Sequence, residues 1–255
     1  MTSHRERILD QFSRQAVPFS NAAAVRDERT LQLIVEAARA DGADTVLDVA
    51  CGPGLVACAF AATARQVIGI DLTPAMIARA GALAAERRLP NVRFLIGDVT
   101  PLPIADATFS IVVSRFAVHH FEHPDAVVAE MRRVCRPGGR VVIADLLAAP
   151  DPAKAQAFHR LEMLRDPSHV RALTLDELRA LYRNAGFGTP VETFWQMDID
   201  VDDLMSRSFP VPGRAATIRR LYEESIDDDA LGLATRREGG RVRFSYSNVV
   251  LSAVR

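Results

Sequence analysis

The chain has 255 residues, of which 49% are apolar and 25% charged, with a formal net charge of −1. That apolar share supports a sizeable core and excludes a disordered chain. A near-zero charge excludes bulk electrostatic attraction to nucleic acid or an anionic membrane. The three cysteines, Cys51, Cys58 and Cys135, suit neither a disulfide framework nor a tetrahedral zinc site. A reduced, cytoplasmic setting without a bound metal is therefore expected. The opening "MTSHRERILDQFSRQ" is too polar for a signal peptide, and no apolar run approaches a membrane span.

In chain order, residues 5–15 and 27–40 read as helices; Leu31, Ile34, Val35 and Ala38 give the second one apolar face. "TVLDVAC" reads as a strand, followed by a helix over about 54–64. "QVIGIDL" is the next strand, with a helix over about 74–87 opened by Pro74. Strands "VRFLIGD" and "FSIVVSRF" follow, then a helix over about 124–136 that leads through an "RPGG" turn into "RVVIADLL". This β–α alternation predicts a mostly parallel sheet covered on both faces. Residues 151–166 read as a helix, and "TLDELRALYRNAGF" as another, with a capping box of Thr174 and Glu177 and a stop at Gly186. "PVETFWQMDI" reads as a strand, 201–229 as inserted helices, and "RVRFSYSNVVLSAVR" as a last strand after a turn at Gly239–Gly240.

The stretch "DTVLDVACGPGLVA" carries the chemistry. A turn with Gly52 and Gly54 between strand and helix lets backbone approach a ligand at the carboxyl end of a parallel sheet. By itself it fits many dinucleotide and nucleoside cofactors. Asp71 ends the next strand, about 20 residues on, where a carboxylate accepts ribose hydroxyls. Asp98 ends the third strand, where a carboxylate suits an exocyclic adenine amine. Asp48 lies four residues before Gly52; it would repel a pyrophosphate and stabilise a sulfonium and an α-ammonium. Asp48 also has a second reading, as a cap for the backbone of the turn. The charge argument favours S-adenosylmethionine over a nicotinamide cofactor. A Tyr-x-x-x-Lys pair is also missing, Lys154 being the one lysine in the chain.

"VLDVACGPG", "VIGIDLTPAMI", "FLIGDVTPLPIADATFSIVVSRFAVHHFEHP" and "EMRRVCRPGGRVVIAD", taken together, resemble the successive motifs of class I S-adenosylmethionine-dependent methyltransferases. The branch most similar is the small-molecule one that includes the ubiquinone and menaquinone C-methyltransferases. The resemblance spans roughly residues 45–147. It implies an α/β, Rossmann-like seven-stranded sheet of order 3-2-1-4-5-7-6, with strand seven antiparallel and a small helical cap. One such domain would span 1–255, with a helical arm at 1–40 and covering segments at 150–175 and 198–232. Carried onto this chain, the resemblance places Ala50 and Gly52 at the methionine end and Asp71 at the ribose. Leu72, Met76, Asp98 and Val99 fall at the adenine. Ser114 and Phe116 fall at the cofactor and the mouth of the acceptor pocket. Cys51 departs from the family's usual glycine, as a small hydrophobe that fits there.

His119 and His120 follow the fourth strand, where an imidazole would take a proton from an acceptor hydroxyl, amine or carbon. Both also read as local packing residues. His169 and Arg171, in the polar loop "RDPSHVRALT", are candidates to bind an acceptor carboxylate or phenolate. Phe12 and Phe19 are candidates for a lid over the cofactor. Acids interleave the arginines of the last third, and "SRFA" stands where nucleic-acid amino-methyltransferases carry an Asn/Asp-Pro-Pro-aromatic motif. A small-molecule acceptor is therefore expected, aromatic, quinone-like or a secondary metabolite. The alternatives are a non-methylating S-adenosylmethionine-binding protein of the same fold and a nucleic-acid or protein methyltransferase.

Overall fold

The computed structural model describes residues 3–255; Met1 and Thr2, the first residues of the expected arm, lie outside the described residues. Five parallel strands form the sheet's frame: β1 (Thr45–Val49), β2 (Gln66–Asp71), β3 (Val92–Ile96), β4 (Phe109–Arg115) and β5 (Cys135–Leu146). β6 (Val191–Asp200), β7 (Arg236–Glu238) and β8 (Arg241–Val254) complete it. The order is β3-β2-β1-β4-β5-β8-β6, with β8 antiparallel to both neighbours. This matches the expected order, the long last strand β8 taking the part of strand seven. The eighth strand is β7, a three-residue piece paired to β8 across the predicted turn at Gly239–Gly240.

The central strands are nearly continuous apolar runs because both faces are covered. Alternate residues serve opposite cores: Val46 and Val67 join one cluster, Leu47 and Ile70 the other. Against the first pack α3 (Glu28–Ala38), α4 (Leu55–Phe60) and α5 (Pro74–Glu86), preceded by α1 (His4–Asn21) and α2 (Ala23–Arg26). Against the second pack α6 (Pro124–Val134) and α8 (Leu175–Asn184). A third cluster joins α7 (Pro152–Arg165), α9 (Val201–Ser206) and α10 (Ala215–Asp228) to the far ends of β6 and β8. It is built around Phe158, Tyr222 and Phe244.

Local signals explain the helix ends. Both halves of the Thr174–Glu177 capping box form. Gly186, at φ +80°, closes α8 while the Phe187 amide donates to the Tyr182 carbonyl. Three boundaries differ from the sequence reading, the first being α4, which ends at Phe60 rather than about 64. α1 runs on from the expected 15 to Asn21, through Pro18. "RPGG" is an irregular opening of β5 rather than a turn: the Gly138 amide donates to the Arg255 carbonyl and the Arg255 amide to Gly139. Long-range pairing with the C-terminal strand overrides the local turn propensity there. No helix among the described residues is long and apolar enough to cross a membrane.

Candidate functional site

The carboxyl ends of β1, β2 and β4, with the loop after β3, open into a cavity of about 280 Å³. The turn after β1 sets its wall. Ala50, Gly52 and Gly54 take φ of +54°, +52° and +78°. Ala50 sits in the left-handed region at a cost of about 1 kcal/mol. Its neighbours hold it: the Cys51 amide donates to the Ile70 carbonyl and the Gly52 amide to Asp71 Oδ2 at 2.8 Å.

Asp48 is buried and lines this cavity. Its Oδ2 accepts the Ala57 amide at 3.0 Å, so the capping reading holds alongside the cavity-facing one. Burial pushes its pKa up to about 8, with Asp71 adding to the rise and the Ala57 amide and Arg115 opposing it. Asp71 accepts both the Gly52 and Thr73 amides; burial raises its pKa although those amides pull it back. Asp98 lines the same cavity, half exposed, its Oδ1 taking the Val99 amide and its Oδ2 the Arg5 guanidinium from α1. Ala50, Gly52, Leu72, Met76 and Val99 are also in the lining, as are Phe116, Phe19 and His120.

Arg115 is a site residue that the sequence reading missed. It ends β4, only 9% exposed, and lines the cavity. Nη1 donates to the Val25 carbonyl at 2.9 Å, while the buried Nε and Nη2 have no partner. The guanidinium lies 4.5 Å from the Phe116 ring centroid. Burial lowers its pKa to about 10, against the pull of Asp48 and Asp27. The signal was present in "FSIVVSRF": an arginine within a buried strand demands partners.

A second chamber of about 80 Å³ adjoins the first and shares Phe12, Phe19, Val25, Phe116 and His120 with it. His119 lines this chamber, not the larger cavity. The register Arg115↔Ala144 brings Asp145 of β5 beside the short 3-10 turn Val118–His120. Asp145 accepts the Val118 amide and, at 2.6 Å, His119 Nδ1, which leaves Nε2 as the free ring nitrogen. Burial depresses the His119 pKa, but the charge and hydrogen bond of Asp145 outweigh it, so the net shift is upward. His120 donates Nδ1–H to the Ser168 carbonyl at 3.0 Å, and burial with the neighbouring His119 lowers its pKa to about 4.

Four expected site residues are placed elsewhere. Gly54 is outside both linings: a Cβ there would meet Ala80 Cβ at 2.8 Å and Phe94 Cζ at 2.9 Å, so this glycine serves helix packing. Ser114 is fully buried and donates to the Val49 carbonyl at 2.9 Å; strand alternation turns it away from the side Arg115 faces. His169 is buried behind His119, ring centroids 5.7 Å apart, with neither nitrogen hydrogen-bonded. Arg171 is exposed and paired to Glu177 at 2.7 Å. Their loop nevertheless abuts the site, since the Val170 and Arg171 amides donate to the His119 carbonyl.

Comparison with known proteins places the chain's family and fold. A methyltransferase domain family matches residues 47–143. The uncharacterised methyltransferase YcgJ of Bacillus subtilis is 30% identical over 247 residues, covering 93% of this chain and 98% of YcgJ. Its crystal structure superposes with a TM-score of 0.82 at 28% identity, over 89% of this chain and 98% of the other. A second crystal structure, of a protein from Bacillus halodurans, gives 0.81 at 28%, with the same coverage. A demethylmenaquinone methyltransferase of Renibacterium salmoninarum is 35% identical over 117 residues, 46% of this chain and 47% of that one.

Proposed function

The chain belongs to the class I S-adenosylmethionine-dependent methyltransferases, and from that premise we propose that it methylates a small-molecule acceptor held in the second chamber. The observation that carries this reading is the pair of joined cavities, one suited to the cofactor and a smaller one lined by residues of α1, α7 and α9. Asp48 and Arg115 fit the amino-acid end of the cofactor. They are a buried carboxyl and a buried guanidinium with two unpartnered donors, both in one lining, so an ammonium and a carboxylate would complete them. Asp71 would hold the ribose hydroxyls. Asp98 and Val99 would flank the adenine, with Leu72 and Met76 against its faces.

When bound, the cofactor supplies a methyl group already activated on a sulfonium. The task left to the chain is orientation, water exclusion and one proton. α1, α7 and α9 line the chamber and would shield a bound acceptor from water. His119 Nε2 would take the acceptor's proton, Asp145 holding the ring by Nδ1 and stabilising the imidazolium that results. The Phe116 ring stands where the two cavities meet and would fix the acceptor's approach. The demethylmenaquinone methyltransferase relative supports a ring-bearing acceptor.

The test is methyl-labelled cofactor offered with panels of phenols, quinols and small acids, and in parallel with bulk tRNA and with protein extract. Label in the small-molecule fraction that disappears in His119→Ala is expected. Label confined to RNA or protein would overturn the reading.

A further inference from the structure

The second chamber contains two guanidinium groups in opposite states. Arg165, at the end of α7, is clamped by Glu162 through Nε at 2.9 Å and through Nη2, and its Nη1 donates to Ser208 Oγ at 3.3 Å. Arg207, the residue that closes α9, lines the same chamber, and among the described residues no hydrogen bond or ion pair reaches its guanidinium. The other charged and polar groups around it are engaged. Asp166 accepts the Ser168 amide and hydroxyl and the Gln15 side chain. Glu162 holds Arg165 and also accepts the Tyr246 hydroxyl. His119 faces the chamber with Nε2. Asp203 and Tyr222 act on Arg207 only at longer range.

A half-buried cation beside a second arginine is unfavourable without a counter-charge. Burial, then Arg165, lowers the Arg207 pKa in keeping with that. The remaining wall is apolar, from Leu146, Met197, Ile199 and Leu204. We propose that this chamber is the subsite for a compact organic monoanion, its carboxylate paired by Arg207 and its apolar body against those four side chains. One open guanidinium matches one negative charge. A phosphate dianion is disfavoured, because the carboxylates of Asp166 and Glu162 stand close by and Arg165 is already neutralised. The proposal rests on the small-molecule methyltransferase reading and assigns the acceptor's class within it.

The experiment uses the full chain saturated with S-adenosylhomocysteine, titrated with benzoate and butyrate and with their neutral amides. Calorimetry and the fluorescence of Trp195, the single tryptophan, which lies 6.2 Å from the Phe116 ring, both read binding. Saturable binding of at least one acid is expected, about tenfold or more tighter than its amide. Arg207→Gln should weaken the acid to the level of the amide and leave the amide unchanged, and Arg207→Lys should retain part of the discrimination. Arg207→Gln should also melt no lower than wild type, since it removes an unpaired cation, and should bind S-adenosylhomocysteine normally. Equal binding of acid and amide, no saturable binding of either acid, or an acid affinity unmoved by Arg207→Gln would each overturn the proposal. Failure of S-adenosylhomocysteine itself to bind would overturn the methyltransferase reading instead, so the two failures are distinguishable.

Discussion

An ammonium bound beside Asp48, as proposed, should release a proton from it. Its pKa of about 8 means that at pH 7 the free protein carries the carboxylate in about one molecule in ten. An ammonium placed beside it needs the ionised form. Binding at pH 7 therefore forfeits about 1.4 kcal/mol, or tenfold, relative to the plateau above pH 8, and at pH 6 about a hundredfold. The sign follows from the shift: an acid raised in the folded protein holds its proton to higher pH, so affinity climbs as pH rises from 6 to 8. The same shift makes the unliganded protein lose stability from this group as pH rises from the ordinary aspartate value of 3.8 towards 8. Calorimetric titration of S-adenosylhomocysteine at pH 6, 7 and 8, in buffers of different ionisation enthalpy, measures both the slope and the proton count. Close to one proton should be released at pH 7. Asp48→Asn, which keeps an oxygen for the Ala57 amide, should flatten the slope and lower the affinity at pH 8, separating Asp48 from Asp71, whose pKa is also raised. A wild-type affinity independent of pH, with no proton released, would refute the argument.

Further outcomes are expected at His119, Arg115 and two glycines. With an acceptor in hand, kcat/KM should rise with pH through a value above the ordinary 6.5 of histidine, because Asp145 holds the His119 pKa up against burial and the base works unprotonated. Asp145→Asn should move that limb to lower pH and slow the reaction by about 10²–10⁴-fold; a limb that stays in place would exclude His119 as the base. Arg115→Gln should weaken S-adenosylhomocysteine by about 1.5–3 kcal/mol in a calorimetric titration, the worth of a hydrogen-bonded charge, and an unchanged affinity would mean that its unpartnered Nε and Nη2 face no ligand anion. In urea unfolding, Gly54→Ala should destabilise by about 1–3 kcal/mol through its contacts with Ala80 and Phe94 at φ +78°. Gly81→Ala, with open space around it within α5, should instead stabilise by about 0.5–1 kcal/mol.

Local sequence determined much of this protein by itself. The strands, the crossover helices, the Thr174 capping box and the hairpin at Gly239–Gly240 rest on short-range signals: apolar periodicity, side-chain caps and glycine's tolerance of positive φ; the strand order was implied by the family resemblance. The wall of the larger cavity was legible for a related reason. Asp48, Asp71 and Asp98 lie at or just past strand ends, and parallel topology alone brings strand ends together. Where the reading failed, the deciding quantity was the direction of a side chain or a contact between distant segments. Ser114 and Arg115 are adjacent in sequence, yet the pleat sends them to opposite sides, so the expected serine is sealed against Val49 and the unremarked arginine enters the cavity. His169 and Arg171 sit on a loop that does reach the site, but its backbone makes the contact, while one side chain packs behind His119 and the other pairs with Glu177. The dyad of His119 with Asp145 and the open Arg207 join residues 26 and 88 positions apart along the chain from His119. Periodicity carries no information over such separations. Only the packing of β5, α7 and α9 around one turn brings those charges together.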